Sequence, residues 1–263
     1  MNCGLLLWIG GAKLKDTLNT LSRMEFHRYP VEPTPVGGEG AGVLYLRGGE
    51  FRLVKVAGSE KPSGTLAEKI DSLEFCSPII LGHVRRASKD FKASAPYSWG
   101  AQPYSCSCKG FRVFSIHNGF VKNYRELYSA SHVYESYHPE LLREPHIIDS
   151  EVIPHFCADL IEEYGARQGF KKLFEAIKGN STWIILAVKN GLYIGIFHKG
   201  KTRGLNIYQG ENKLIAVTRA EALKTPPGLK KIVEIGYREE AELLLIYKVE
   251  IKDQAKVNFL RIS

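Results

Sequence analysis

The sequence predicts an α+β fold in which largely antiparallel sheets are covered by helices. Three observations point there. Strand-like runs cluster with strands and helical stretches with helices. The late strands are joined by tight turns, one of them Lys189-Asn190-Gly191, and Asn-Gly is the strongest short hairpin signal. The stretch 150–164 carries two apolar four-residue repeats, Val152/Phe156/Leu160 and Ile153/Cys157/Ile161, which form one broad face suited to lying on a sheet.

In chain order, residues 4–9 are an apolar strand and 14–24 a helix. Strands follow at 42–46 and 51–56, a helix at 64–73, and strands at 79–85 and 111–116, each short, apolar or alternating, and closed by turn residues. Helices are predicted at 123–131, 150–164 and 170–178. Pro154 falls in the first turn of the second of these, where a missing N–H costs least. Strands 183–188 and 192–197 form the Asn-Gly hairpin, 205–208 and 213–217 another around Gly210-Glu211-Asn212, and 241–251 a final long strand. No repeat, low-complexity tract or charged linker divides residues 1–263, so one domain is expected.

With 44% hydrophobic and 24% charged residues and no apolar run long enough to cross a bilayer, composition matches a soluble globular protein without a membrane partner. The run Leu5 to Ile9 lacks the preceding positive charge and the cleavage site of a signal peptide. Cysteines at 3, 76, 106, 108 and 157 are odd in number and scattered, which fits a reducing, cytoplasmic setting rather than a disulfide scaffold. Cys106 and Cys108 have no second ligand pair at zinc-finger spacing, so they are taken as buried thiols; no metal and no cofactor are expected. The net charge of +8 is dispersed, with no basic arm or aromatic RNA-binding signature. It is read as a solvated basic surface or a docking face for an acidic partner, not as a nucleic-acid site.

Three polar clusters stand at the ends of predicted elements: His83-Val84-Arg85-Arg86-Ala87-Ser88, His117-Asn118-Gly119, and Asp149-Ser150-Glu151. Taken singly each has a plain reading: a surface cation, a turn, a helix N-cap, with His83 and His117 as packed core histidines. Asn180-Ser181-Thr182 is a glycosylation sequon only formally.

Taken together with Cys3-Gly4, in this order and spacing, they resemble the class II glutamine amidotransferases, the N-terminal-nucleophile family that includes the glutaminase domains of glucosamine-6-phosphate synthase and asparagine synthetase. Further matching stretches are Arg28-Tyr29 with Glu39-Gly40-Ala41-Gly42, Asn123-Tyr124-Arg125-Glu126-Leu127, Gly191-Leu192-Tyr193, and Ile215 through Leu223. Departures follow Arg85: Arg86 replaces a frequent aromatic, Lys89-Asp90 a His-Gly or Gln-Gly type pair, and Ala95-Pro96 a common His-Pro.

The resemblance implies a four-layer αββα sandwich and the hydrolysis of L-glutamine through a γ-glutamyl thioester on Cys3. It implies that Cys3 is both nucleophile and, through its own α-amino group, base, so Met1-Asn2 are expected to be a two-residue propeptide. Asn118 and Gly119 would form the oxyanion hole, Arg85 would hold the substrate carboxylate, Asp149 its ammonium, and Ser88 would add a hydroxyl contact. About forty residues follow Leu223, too few for an ammonia-using domain, so a separate synthase is the expected ammonia acceptor. The rival readings are a free-standing hydrolase of another γ-glutamyl amide, and a non-catalytic glutamine-binding subunit if Cys3 is not N-terminal.

Overall fold

Along the first strand Leu5, Leu7 and Ile9 alternate with Leu6 and Trp8, and both sets are buried. A strand apolar on both faces must lie between two cores, and that placement organises the molecule. The computed structural model describes residues 3–58, 61–108, 110–131, 148–253 and 257–263.

The chain runs β1 (Gly4–Lys13), α1 (Leu14–Phe26), β2 (Gly40–Arg47), β3 (Glu50–Ala57), α2 (Pro62–Glu68), β4 (Cys76–Arg85), β5 (Tyr104–Cys108), β6 (Phe111–Gly119) and α3 (Tyr124–Ala130). It continues through α4 (Val152–Ala176), β7 (Ser181–Val188), β8 (Leu192–Lys201), β9 (Leu205–Gln209), β10 (Leu214–Val217), β11 (Lys230–Ile235), β12 (Glu240–Ile251) and β13 (Val257–Arg261). Among the described residues one sheet has the order β11-β9-β10-β1-β4-β2-β3 and the other β13-β12-β8-β7-β6-β5. Every strand pairing in both sheets is antiparallel.

The sheets face each other across a core that includes Leu5, Leu7 and Ile9 of β1, Ile79 and Leu81 of β4, Phe114 and Ile116 of β6, and Ile184 and Leu186 of β7. On the outer side of the first sheet, Leu6 and Trp8 meet Leu14, Leu18, Leu21 and Met24 of α1. On the outer side of the second, Val113, Trp183 and Ile185 meet Val152, Ile153, Cys157 and Ile161 of α4. The result is a four-layer αββα sandwich.

The predicted helices 150–164 and 170–178 are both present as the two segments of α4, parted at Gly165, whose φ of 75° and ψ of 165° are not helical and suit glycine. Asp149 and Ser150 do not cap it; the N-cap position is Glu151, with no side-chain cap bond. The helix predicted at 64–73 starts earlier and ends at Glu68, with Pro62 in its first turn. Three strands escaped the sequence reading, β5, β11 and β13, and all three are edge strands.

Candidate functional site

Strand parity decides which side chains reach the gap between the sheets. Cys3 continues the alternation of Leu5, Leu7 and Ile9, and Arg85 that of Ile79, Leu81 and His83. The β1–β4 register, Gly4 opposite Val84, carries Cys3 next to Arg85 across the ladder. On the facing sheet, Asn118 continues the alternation of Phe114 and Ile116, and β6 lies against β1 and β4. Cys3, Arg85 and Asn118 therefore meet at one end of the inter-sheet gap, all of them buried.

Cys3 is a free thiol, and its Sγ donates to the Arg86 carbonyl at 3.7 Å. Burial pushes its pKa up, while the Arg86 contact and the Arg85 charge pull the other way. Behind it the chain is fixed by Thr218: the Leu5 N–H donates to Thr218 Oγ1 at 3.0 Å and the Thr218 N–H to the Leu5 carbonyl at 3.2 Å.

Arg85 makes no ion pair among the described residues. Its Nη1 donates to the Ser94 carbonyl at 3.2 Å and its Nη2 to Ser94 Oγ at 2.5 Å. Ser94 ends the short 3-10 turn Lys89–Ser94, and Gly100 closes over the same guanidinium. A Cβ at Gly100 would lie 2.5 Å from the Ser94 carbonyl oxygen and 2.9 Å from Arg85 Nη1, so glycine is needed there. The cation is oriented by neutral acceptors.

The segment that departs from the family pattern is the one covering Cys3. Arg86 Nε donates to the Pro35 carbonyl at 2.8 Å and Nη2 to the Gly37 carbonyl. Glu39 accepts from the Ala87 N–H at 2.8 Å and pairs with Lys92. These bonds tie residues 35–39 to residues 86–92 over the thiol. Ser88 Oγ is buried there without a partner among the described residues.

Asn118 Nδ2 is likewise buried without a partner among the described residues. Gly119 has φ 142°, and a Cβ on it would lie 2.3 Å from the Asn180 carbonyl oxygen and 2.7 Å from Ser181 Cα. The neighbours that exclude a side chain are Asn180 and the first residue of strand β7.

Asp149 is fully buried ahead of α4, where Oδ2 accepts the Val121 N–H at 3.0 Å and Oδ1 the Ser150 hydroxyl at 3.3 Å. Burial raises its pKa to about 7, against the opposing pull of these bonds and of Arg85. Its charge also acts on Cys3. Cys3, Arg85 and Asp149 thus act on one another electrostatically, and strand parity turns Asn118 toward the same end of the gap. Met1 and Asn2, the expected propeptide, lie outside the described residues.

His83 and His117 are buried, and burial lowers both to about 3. His117 is held between the Ser150 and Ser181 hydroxyls at 2.7 and 3.0 Å, on the α4 side of its sheet. Both are neutral packing histidines, in keeping with the plain reading. The sequence reading missed Ser94, Thr218 and Lys55. Lys55 Nζ bonds the Trp99 carbonyl at 3.2 Å, and burial lowers its pKa to about 8. Thr218 stands inside a quoted motif, but nothing in a sequence reveals a hydroxyl that caps a strand 213 positions away.

No protein-family model matches the chain. It is 30% identical over 206 residues to glutamine–fructose-6-phosphate aminotransferase (isomerizing) of Sulfurisphaera tokodaii, covering 75% of this chain and 29% of that protein. Against the enzyme of the same name from Thermosynechococcus vestitus it is 29% identical over 182 residues, covering 67% of this chain and 24% of that protein. The chain thus spans about a quarter of the length of these curated relatives. Among solved structures, glutamine phosphoribosylpyrophosphate amidotransferase from B. subtilis superposes with a TM-score of 0.62 at 16% identity, over 99% of this chain and 49% of that one. At that identity the likeness speaks for the fold.

Proposed function

This chain belongs to the class II, N-terminal-nucleophile glutamine amidotransferases, and on that premise we propose that its inter-sheet site hydrolyses the side-chain amide of L-glutamine. The reading is supported by a buried thiol with a guanidinium and a buried carboxylate acting on it, and by an amide donor that has no partner among the described residues.

An unactivated carboxamide needs a nucleophile, a proton carrier and donors aimed at the developing oxyanion. Burial keeps Cys3 a thiol, so a base must take its proton. Once Cys3 is N-terminal its own α-amino group does so, with a reference pKa of about 7.7 to 8.0. Sγ attacks the amide carbon, Asn118 Nδ2 and the Gly119 N–H stabilise the oxyanion, and the C–N bond breaks as nitrogen takes the proton and leaves as ammonia. Water then cleaves the γ-glutamyl thioester, giving glutamate and restoring the thiol. Arg85, presented by Ser94, receives the substrate carboxylate as a fork, Asp149 receives the ammonium, and Ser88 adds its free hydroxyl. The ammonia passes to an acceptor on a separate synthase subunit.

Steady-state glutamate release from L-glutamine and from γ-glutamyl conjugates tests the substrate. The expected result is a preference for glutamine, with Arg85→Lys raising KM at least about tenfold, the scale of one lost charge-assisted bond. Release only from conjugates would refute it.

A further inference from the structure

The ends of β6, β7 and β8 and the turn before β12 line a further cavity of about 210 Å³ that adjoins the glutaminase site at Asn118 and Gly119. Lys201, Arg203 and Arg238 line it, together with Thr202, Asn118 and Gly119, and among the described residues no carboxylate does.

The cations are placed at some cost. Arg238 has φ 59°, the one non-glycine residue with positive φ among those described, and such backbone costs about 1 to 3 kcal/mol. It is held there by its own N–H, which donates to the Thr202 carbonyl at 2.9 Å, while the Gly236 N–H takes up Glu239 Oε2 at 2.6 Å. The Arg238 guanidinium lies 5.5 Å and the Arg203 guanidinium 5.3 Å from the centre of one ring, Tyr237, so two like charges are fixed on a shared support.

The acids nearby do not cancel this field. Glu32 pairs with Arg203 but also with the fully buried Arg219. Glu240 reaches Lys201 only at 3.9 Å where both side chains are more than half exposed, a contact of little worth.

We infer that this cavity binds a phosphate group, free or carried by a small molecule. Its volume is below the roughly 300 to 1,000 Å³ of drug-sized pockets, which suits a compact anion rather than a nucleotide.

Isothermal titration calorimetry of the full chain with inorganic phosphate and with glycerol phosphate, at fixed ionic strength, tests it. Saturable binding is expected, weakened about tenfold or more by Lys201→Ala and by Arg238→Gly, and unchanged by Lys213→Ala, which lies at a different cavity. Glycine accepts the positive φ, so Arg238→Gly removes charge without straining the turn. Tighter binding of glycerol phosphate assigns the pocket to an organic phosphate, and equal binding to phosphate itself. No saturable binding, or binding that survives both substitutions, overturns the inference. Glutamate release in the same samples separates the two readings: activity without phosphate binding removes the pocket alone, and binding without activity removes the glutaminase reading alone.

Discussion

Asp149 has no solvent exposure and a carboxyl held near pH 7, so its charge state changes where the chain would work. Only the carboxylate can hold an ammonium, so KM for glutamine should rise as pH falls through about 7, while Asp149→Asn should give a high KM with little pH dependence. A KM profile identical in wild type and variant would remove Asp149 from substrate binding. Its effect on stability has the opposite sense. The folded pKa is raised above the reference 3.8, so its contribution is fully present below that value and is lost as pH rises through 7. The residue types and their order were legible from the sequence: Cys3, Arg85, Asn118 and Asp149 were all singled out. What holds them was not. Ser94 gives no sign in the sequence that it orients Arg85, because that contact depends on a 3-10 turn folding back over β4.

At the level of elements, central strands announced themselves and edges did not. β1 and β7 are buried on both faces and read as continuous apolar runs, whereas Lys-Lys-Ile-Val-Glu-Ile of β11 and Tyr-Ser-Cys-Ser-Cys of β5 cover an edge and carry polar residues, as exposed edges require. The helix 150–164 was predicted from its stripe, and it stops as predicted before Gly165, whose backbone is not helical; the second segment of α4 then starts sooner than the predicted 170. The β6–β7 contact supports a prediction. Gly119→Ala would press a Cβ into the Asn180 carbonyl at positive φ, so a loss of roughly 1 to 3 kcal/mol in urea unfolding is expected; unchanged stability would show that the corner is looser than the contact implies. The tie between residues 35–39 and Arg86 supports another. Arg86→Met should raise the rate of Cys3 alkylation by iodoacetamide without lowering Tm by more than a few degrees, whereas an unchanged rate would mean that this tie does not shield the thiol.

For the whole molecule, one inter-sheet core supports both sheets, and Leu7 sits in it fully buried. Leu7→Ala should cost about 2 to 5 kcal/mol in chemical unfolding, and a cost under 1 kcal/mol would contradict the shared core. The same gap that buries Leu7 opens, at its end, on Cys3, so the sandwich and the site are one construction: the sheets supply the walls and the strand ends supply the chemistry. The central claim is that Cys3, as the N-terminal residue, carries the glutamyl group. It is tested most directly by peptide-mapping mass spectrometry of protein quenched in acid while turning over L-glutamine. The account predicts a peptide that begins at Cys3 and bears a γ-glutamyl thioester. Glutamate release with no adduct on Cys3, or with Met1-Asn2 still attached to it, would contradict the account.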